Sequence, residues 1–460
     1  MKNKLSKKEK RFKRFLILIL VLLGCYYLNN QVAFNAYWGY DGGAHLEYIK
    51  TIFSENRLPT FSENYLAWHE PLYYIFSGIM AKIIHLFNFF NYDFIIFEAK
   101  FLQFFNTFFL VSSIYLVYKI SSFFTESKFI QVLIILFTGS LGAFLETANY
   151  LTNEIMAIFW SLLLFYSFLA IEKSGWTIKK SLFFGLILGL GLLTKLSILI
   201  FLLAFLIFFI YKNLYNKKYR DFQFLPVIFI VAFLICLPWL YYKNKNIGSI
   251  WSINSYENEI VREENPAKLP LSFWLTFDFS IFDNPFWRNG QKSFVTMLTA
   301  DTFIDYYVIG DNVDIMNEKP IDQKILTDSG RFISQDKFIW SLWLFDWSLL
   351  WVLFFTISLI YLLVKFIKNK FKPDNLLFLL IFCFGSFAAL AYNVYAYPFL
   401  ERGTLKAGFI LPSILLVIMI SFIFLDHLLK KYKLFYLWPI VFIIFLITIS
   451  LSFYTHFLYF

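Results

Sequence analysis

Chemically versatile side chains are densest near the amino terminus, in residues 38–48. Within that stretch Asp41, His45 and Tyr48 recur at spacings of four and three, so a helix beginning near Asp41 would place all three on one face. An outward carboxylate beside a membrane entrance suits a general base, whereas an aspartate followed by glycines also suits a helix cap. We favour catalysis over capping for Asp41 and treat His45 and Tyr48 as supporting candidates.

Positive charge is available for a phosphate group at several later positions. Lys195 is the only charged residue in the apolar run 181–211, and a charge so placed in a membrane segment is a functional candidate by default. The alternative is a lysine whose ammonium group snorkels to the lipid headgroups. Arg402 and Lys406 could supply further positive charge, and Arg288 is a weaker candidate.

Carboxylate and amide side chains also lie close to a predicted helix start. Glu146, Asn153 and Glu154 fall at the same predicted depth as Lys195, where they could position the acceptor or another side chain. Capping of the helix that starts near Asn153 explains these residues equally well. Both interpretations therefore stay open.

The elements that must position these residues are membrane helices. Hydrophobic residues make up 59% of the 460-residue chain and charged residues 16%, whereas soluble domains are about a quarter charged. Apolar runs recur throughout, each long enough to cross a hydrocarbon core roughly 30 Å thick. The net charge of +10 comes from short basic clusters between these runs, the pattern of cytoplasmic loops rather than of a nucleic-acid-binding face. We expect an all-α polytopic membrane protein that binds no nucleic acid.

The positions of the apolar runs and of the basic loops between them predict about eleven transmembrane helices, with the amino terminus in the cytoplasm. The run 71–87 is assigned to the outer interface, as a juxtamembrane helix, because the four later basic loops then all fall inside. The run 181–211 would form a single helix of roughly 46 Å and is therefore predicted as two helices that turn at Lys195. The first transmembrane module covers residues 1–242 and includes an outer loop at 29–100.

The remainder of the chain divides into two further units. Residues 243–338 are predicted as an extracytoplasmic loop or small subdomain, and residues 339–460 as the carboxyl-terminal transmembrane helices. We expect the protein in a prokaryotic cytoplasmic membrane, with membrane lipids as partners and the polar segments facing outward.

Four segments together resemble glycosyltransferase family 39, which comprises the protein O-mannosyltransferases and the lipid A aminoarabinose transferases and has the GT-C fold. The first outer loop contains Asp-Gly-Gly-Ala-His from Asp41, then Arg-Leu-Pro, and then His-Glu-Pro-Leu-Tyr-Tyr from His69. A polar break before a helix, a glycine-rich helix ending in lysine and a late Arg/Lys helix start follow in the family's order. These later segments are residues 146–154, 189–195 and 402–412.

The resemblance implies an inverting glycosyltransferase that moves a single sugar from a polyprenyl-phosphate-sugar donor on the extracytoplasmic face. Asp41 would deprotonate the acceptor, which would be a lipid-linked glycan, a lipid A-like lipid or a protein. His69 and Glu70 sit where the family places groups that hold a metal or the donor phosphate. A divalent ion between Asp41, His69 and Glu70 is therefore a candidate cofactor.

Three departures from the family pattern leave the acceptor and the metal dependence open. Gly42 stands where many relatives have a second acidic residue, Glu70 replaces the first of two prolines, and Phe409 replaces a tyrosine. A transporter or flippase for lipid-linked sugars, and a ligase or polymerase of surface polysaccharide, are the alternative functions. A transporter would want paired ionisable residues near the bilayer midplane, whereas these charges are predicted at the outer helix ends.

Overall fold

The computed structural model describes most of the chain. The described residues are 7–34, 36, 41–90, 92–94, 97–247, 270–278, 293–304, 324–326, 332–396, 406–433 and 435–456. Within these ranges the protein is a bundle of α-helices with one short antiparallel pair of strands. The all-α polytopic prediction is confirmed.

The described residues of the first half of the chain form ten α-helices. They are α1 (Lys7–Ala33), α2 (Gly42–Glu55), α3 (Leu72–His85), α4 (Glu98–Ser121), α5 (Lys128–Gly139), α6 (Gly142–Asn149), α7 (Glu154–Ser174), α8 (Ile178–Leu192), α9 (Ile198–Tyr215) and α10 (Phe224–Ile247). A 3₁₀ helix at Tyr219–Gln223 precedes α10.

In the second half, the described residues form six helices and two strands. They are α11 (Leu271–Leu275), α12 (Phe294–Phe303), β1 (Lys324–Leu326), β2 (Phe332–Ser334), α13 (Gln335–Lys368), α14 (Asn375–Ala396), α15 (Leu411–Lys431) and α16 (Trp438–His456). Two 3₁₀ helices, Ala407–Ile410 and Phe435–Leu437, precede α15 and α16. In the strand pair, Lys324 lies opposite Ser334.

Nine of the described helices are long and apolar enough to cross a membrane, or ten if α5 and α6 are counted as one bent span. The prediction of about eleven differs at α8, whose 15 residues extend only about 22 Å. The 14 residues of α3 extend about 21 Å, so α3 is shorter than the described helices that could cross a membrane, and its place at the outer interface stays a prediction. The break between α8 and α9 at residues 193–197 confirms the predicted turn at Lys195.

The predicted single helix at 129–146 is instead the bent pair α5 and α6, whose axes differ by 55°. A bend inside a membrane exposes backbone carbonyls that must find new partners. Side chains of neighbouring helices provide them. At the bend, the Tyr27 hydroxyl donates to the Gly139 carbonyl at 2.5 Å. At the end of α6, Gln31, Gln103 and Asn106 donate to the carbonyls of residues 148–150 at 2.7–2.9 Å. The end of α6 is therefore held by α1 and α4.

Glycines allow α8 and α10 to pack closely. A Cβ added at Gly185 would lie 2.7 Å from the Ile228 carbonyl oxygen, and one at Gly189 would lie 2.9 Å from Cβ of Ile235. Small residues spaced by four let two membrane helices approach along their backbones. This contact fixes the short helix α8 and, with it, the position of the break that follows.

The described part of the segment 243–338 includes a helix that joins the membrane bundle. In this part of the chain α12 packs against α6, α13 and the 3₁₀ helix at Ala407–Ile410. The buried Asp301 carboxylate accepts a hydrogen bond from the Ala407 backbone N–H. The segment therefore contributes a wall to the bundle.

Candidate active site

One end of the bundle contains a cavity of about 380 Å³, within the size range of small-molecule sites. Its walls come from Asp41 and α2, the loop between α2 and α3, α6, the start of α7, the break between α8 and α9, α12, and the 3₁₀ helix before α15. The lining residues are Asp41, His45, Tyr65, Leu66, Trp68, His69, Ala143, Glu146, Thr147, Tyr150, Thr152, Asn153, Glu154, Lys195, Asp301, Lys406, Gly408 and Phe409.

Asp41 stands at the N-cap position of α2, but its side chain does not cap the helix. Its carboxylate instead accepts a hydrogen bond from the Tyr65 hydroxyl at 2.7 Å, while its backbone carbonyl accepts from the His45 N–H. The residue adopts φ 53°, the left-handed region that aspartate tolerates better than most side chains. The structure thus directs the carboxylate into the cavity rather than toward the helix terminus.

Two histidines share one tyrosine hydroxyl at the cavity wall. His45 Nδ1 lies 2.7 Å and His69 Nδ1 lies 3.1 Å from Tyr74 Oη. Burial lowers the pKa of His45 to about 3 and the pKa of His69 well below its usual value. Both imidazoles are therefore neutral at neutral pH. Tyr48 lies behind them, stacked on the Tyr74 ring at a centroid distance of 3.9 Å.

Two lysine ammonium groups lie in the cavity, both near the aromatic ring of Phe409. The Lys195 ammonium lies 4.8 Å, and the Lys406 ammonium 5.8 Å, from the centroid of Phe409. A phenyl face attracts such cations. Lys195 also forms an ion pair with Glu154, the first residue of α7. The cavity therefore contains two ammonium groups, one of which is held by a carboxylate.

The break that presents Lys195 is secured by two other segments, the start of α3 and the start of α7. Leu72 N–H donates to the Leu193 carbonyl at 2.9 Å, and Asn153 Nδ2 donates to the Thr194 carbonyl at 3.0 Å. Interrupting a helix among apolar residues leaves such groups without helical partners, and each costs free energy unless it is satisfied.

The capping interpretation does not describe Asn153, whose side chain makes no capping hydrogen bond at the start of α7. Asn153 and Glu154 instead position the backbone and the ammonium group at Lys195. Glu146 lines the cavity on α6. Asn153 and Glu154 thus contact the break at Lys195, and their role in positioning the acceptor or another side chain stays a prediction.

The remaining predicted residues differ in their placement. Glu70 and Tyr48 are buried outside the cavity lining, and burial raises the pKa of Glu70. Among the residues that the structure describes, no three His, Cys, Asp or Glu side chains come together as a metal-binding group. Asp41 and His69 line the cavity without Glu70. Arg288 and Arg402 lie outside the described residues.

Three residues of the site were not selected from the sequence. Tyr65 and Tyr74 are hydrogen-bonded to the predicted Asp41, His45 and His69. Tyr74 belongs to the His-Glu-Pro-Leu-Tyr-Tyr motif, which was a usable signal. Asp301, by contrast, lies in the segment 243–338 and carries no local motif.

Comparisons with known proteins agree with this fold. The family described as dolichyl-phosphate-mannose-protein mannosyltransferase matches residues 94–242. The Archaeoglobus fulgidus oligosaccharyltransferase, tethered to an acceptor peptide containing the NVT sequon, is similar over 96% of this chain and 55% of its own, with 16% identity and a TM-score of 0.54. Its complex with zinc and sulfate is similar over 95% and 53%, with 16% identity and a TM-score of 0.53.

A further structure is that of the archaeal oligosaccharyltransferase AglB from Archaeoglobus fulgidus with an inhibitory peptide and a dolichol-phosphate. It is similar over 96% of this chain and 55% of its own, with 14% identity and a TM-score of 0.54. The chain thus spans just over half the length of these proteins. No curated protein sequence matches it significantly. The resemblance found in the sequence is confirmed: residues 94–242 match the model of the dolichyl-phosphate-mannose-protein mannosyltransferases, and the chain has the GT-C fold of the archaeal oligosaccharyltransferase.

Proposed function

We propose that the protein is an inverting glycosyltransferase that moves one sugar from a polyprenyl-phosphate-sugar to an acceptor. The observation that carries this proposal is that Asp41, Lys195 and Lys406 line one cavity. Transfer from a lipid phosphate needs a base for the acceptor and positive charge for the leaving group. Asp41 provides the first, and the two lysines provide the second.

In the proposed displacement the acceptor atom attacks the anomeric carbon as its proton passes to the Asp41 carboxylate. The bond from the anomeric carbon to the phosphate oxygen breaks, and its electron pair leaves with the polyprenyl phosphate. Lys195 and Lys406 stabilise the negative charge that develops on that phosphate. The Tyr65 hydroxyl, bonded to one carboxylate oxygen, orients Asp41 for the transfer.

The extracytoplasmic location of the site is part of the proposal and is supported by the basic clusters. Glu154 begins α7 at the cavity, whereas Lys173 lies in the last turn of the same helix, about 30 Å away. The basic residues in the last turns of α9, α13 and α15 are Lys212, Lys365, Lys368, Lys430 and Lys431. Basic loops mark the cytoplasmic side, so a cavity at the opposite helix ends faces outward.

A divalent ion is a further element of the sequence-based prediction. Asp41 and His69 supply an oxygen and an imidazole nitrogen to the cavity wall, which are suitable but incomplete ligands for such an ion. A bound ion would neutralise phosphate charge. Because Glu70 is buried outside the cavity lining, we assign that neutralisation to the two lysines.

We infer the class of donor from the similar proteins. For the acceptor we propose a class of molecule and no single compound. The family name specifies dolichyl-phosphate-mannose, and one similar structure holds a dolichol-phosphate. We propose a polyprenyl-phosphate-linked sugar as donor. The acceptor is a lipid-linked glycan, a lipid A-like lipid or a protein.

The test is a transfer assay on purified protein in detergent or liposomes, with radiolabelled polyprenyl-phosphate sugars and a membrane extract as the acceptor source. Asp41→Asn should abolish transfer, while Asp426→Asn, at an ion pair with Lys430, should leave it intact. Both variants should elute as folded protein in size-exclusion chromatography. Full activity of Asp41→Asn would reject the assignment of the base.

A further inference from the structure

The shared hydroxyl of Tyr74 constrains the protons on His45 and His69. Tyr74 is fully buried, and in the part of the chain that the structure describes its Oη has no hydrogen-bond partner besides the two Nδ1 atoms. A tyrosine hydroxyl has one proton to donate and can accept from other donors. A neutral imidazole carries its proton on either Nδ1 or Nε2, and the hydrogen-bond network determines which.

Only one arrangement of protons satisfies the hydrogen bonding of the Tyr74 hydroxyl and the two Nδ1 atoms. If both Nδ1 atoms were acceptors, the single hydroxyl proton could serve only one of them. If both were protonated donors, the hydroxyl proton would be buried without an acceptor, at the full cost of its desolvation. Opposite tautomers satisfy every atom: one Nδ1–H donates to Oη, and Oη donates to the other Nδ1.

This arrangement applies to neutral rings, and a neutral imidazole is the ordinary form of histidine at neutral pH. His45 is buried, and both rings line the same cavity as the Lys195 and Lys406 ammonium groups, which disfavour a further positive charge there. Neither ring is therefore an imidazolium at neutral pH.

We propose that His45 and His69, coupled through Tyr74, form a donor–acceptor pair that binds hydroxyl groups of the transferred sugar. Because Nδ1 of each ring is used by Tyr74, Nε2 is the nitrogen left to each for a ligand. Opposite tautomers make one Nε2 a hydrogen-bond donor and the other an acceptor. This inference rests on the proposed transferase function, since it places a sugar in the same cavity.

A sugar fits this pair better than a phosphate does. A phosphate oxygen needs donors or cations, whereas half of this pair accepts a hydrogen bond and neither half is charged. Each sugar hydroxyl both donates and accepts, which matches one Nε2–H and one bare Nε2. Trp68 also lines the cavity with its ring 4.2 Å from that of His69, an apolar neighbour suited to the carbon face of a sugar.

The first test reads the tautomers directly and needs no activity. Long-range ¹H–¹⁵N spectra of ¹⁵N-histidine-labelled protein in detergent, assigned with His45→Asn and His69→Asn, should show one Nδ1–H ring and one Nε2–H ring at pH 7. Tyr74→Phe should remove this difference in tautomer between the two histidines while keeping the aromatic ring that stacks on Tyr48. Identical tautomers in the unmodified protein, or an imidazolium, would overturn the pairing.

The second test separates the sugar from the phosphate. Binding of dolichyl-phosphate-mannose and of dolichyl phosphate is compared by isothermal titration. Tyr74→Phe should weaken the sugar-bearing lipid about tenfold and the bare phosphate lipid by less than about twofold. Tyr73→Phe, which changes a neighbouring buried tyrosine bonded to Asn106, should weaken neither.

The outcomes of these tests distinguish a failure of this inference from a failure of the proposed function. Equal weakening of both lipids by Tyr74→Phe, or no preference of the unmodified protein for the sugar-bearing lipid, overturns the sugar assignment. If sugar-specific binding depends on Tyr74 but no transfer occurs in any assay, the result supports sugar binding by His45 and His69 and rejects the proposed transferase function.

Discussion

The carboxylate of Glu154 contacts the ammonium group of Lys195, which joins the first residue of α7 to the break between α8 and α9. A second ion pair, between Glu172 and Lys212, joins α7 to α9 near their other ends. The two pairs differ in one respect that matters for function: only the first lies in the cavity wall. They therefore form a matched set for mutation.

Lys195→Ala should lower kcat/KM by about 10²–10³-fold, the loss typical of removing one group that stabilises developing negative charge. Glu154→Gln should lower it less, because the ammonium remains but is less well positioned. Lys212→Ala removes the matched pair outside the cavity and should leave transfer nearly unchanged. Steady-state kinetics with the polyprenyl-phosphate donor make the comparison, and equal losses at Lys195 and Lys212 would contradict it.

Asn153→Ala should lower both stability and activity, because it leaves the Thr194 carbonyl without its hydrogen bond beside Lys195. An unsatisfied buried carbonyl costs about 1–3 kcal/mol. Asn213→Ala is the control, since that buried amide donates to Phe209 within its own helix. Thermal unfolding in detergent and the transfer rate are measured together. A loss of activity in Asn213→Ala as large as in Asn153→Ala would argue against a specific role.

Gly185→Ala should destabilise the contact between α8 and α10, since the new Cβ would meet the Ile228 backbone at 2.7 Å. Such overpacking costs about 1–3 kcal/mol. Gly385→Ala is the matched control, because its Cβ would meet only Ile200 at an ordinary 3.7 Å. The midpoint of thermal unfolding should fall for the first variant and stay within error or rise for the second.

Acidification should destabilise the fold through His45 and His69. Their pKa values are lowered in the folded protein, so below pH 6.5 the unfolded chain binds protons that the folded chain does not. The free energy of unfolding is therefore greatest above pH 6.5. As the pH is lowered below that value, it decreases by about 1.4 kcal/mol per pH unit for each histidine. His45→Asn should reduce this slope, and His427→Asn, at an exposed position, should not. Thermal unfolding between pH 7.5 and about pH 5 gives the slope.

The part of the site that could be predicted from sequence depended on local signals. Lys195 stands out because a charge among apolar residues is costly, and the glycines before it mark a helix packed closely on a neighbour. Asp41 and His45 share a helix face at a spacing of four, and α2 places both at the cavity.

The rest depended on contacts between distant residues. Glu70 is polar and adjacent to His69, which suggested a ligand, but it is buried outside the cavity lining, near the backbone of Leu196, far along the chain. The bend between α5 and α6 lies in an apolar run without proline. The Gly139 carbonyl at the bend accepts from Tyr27, and the carbonyls at the end of α6 accept from Gln31 and Gln103. No local sequence pattern predicts these partners on other helices.

The order in which the walls of the cavity are translated has a consequence for biosynthesis. Asp41 emerges from the ribosome first and Phe409 nearly last, with α12 supplying Asp301 in between. A nascent chain that has inserted its first ten helices therefore holds the aspartate and Lys195 but lacks Lys406 and the Asp301 wall. The cavity is complete only after α15 has been inserted.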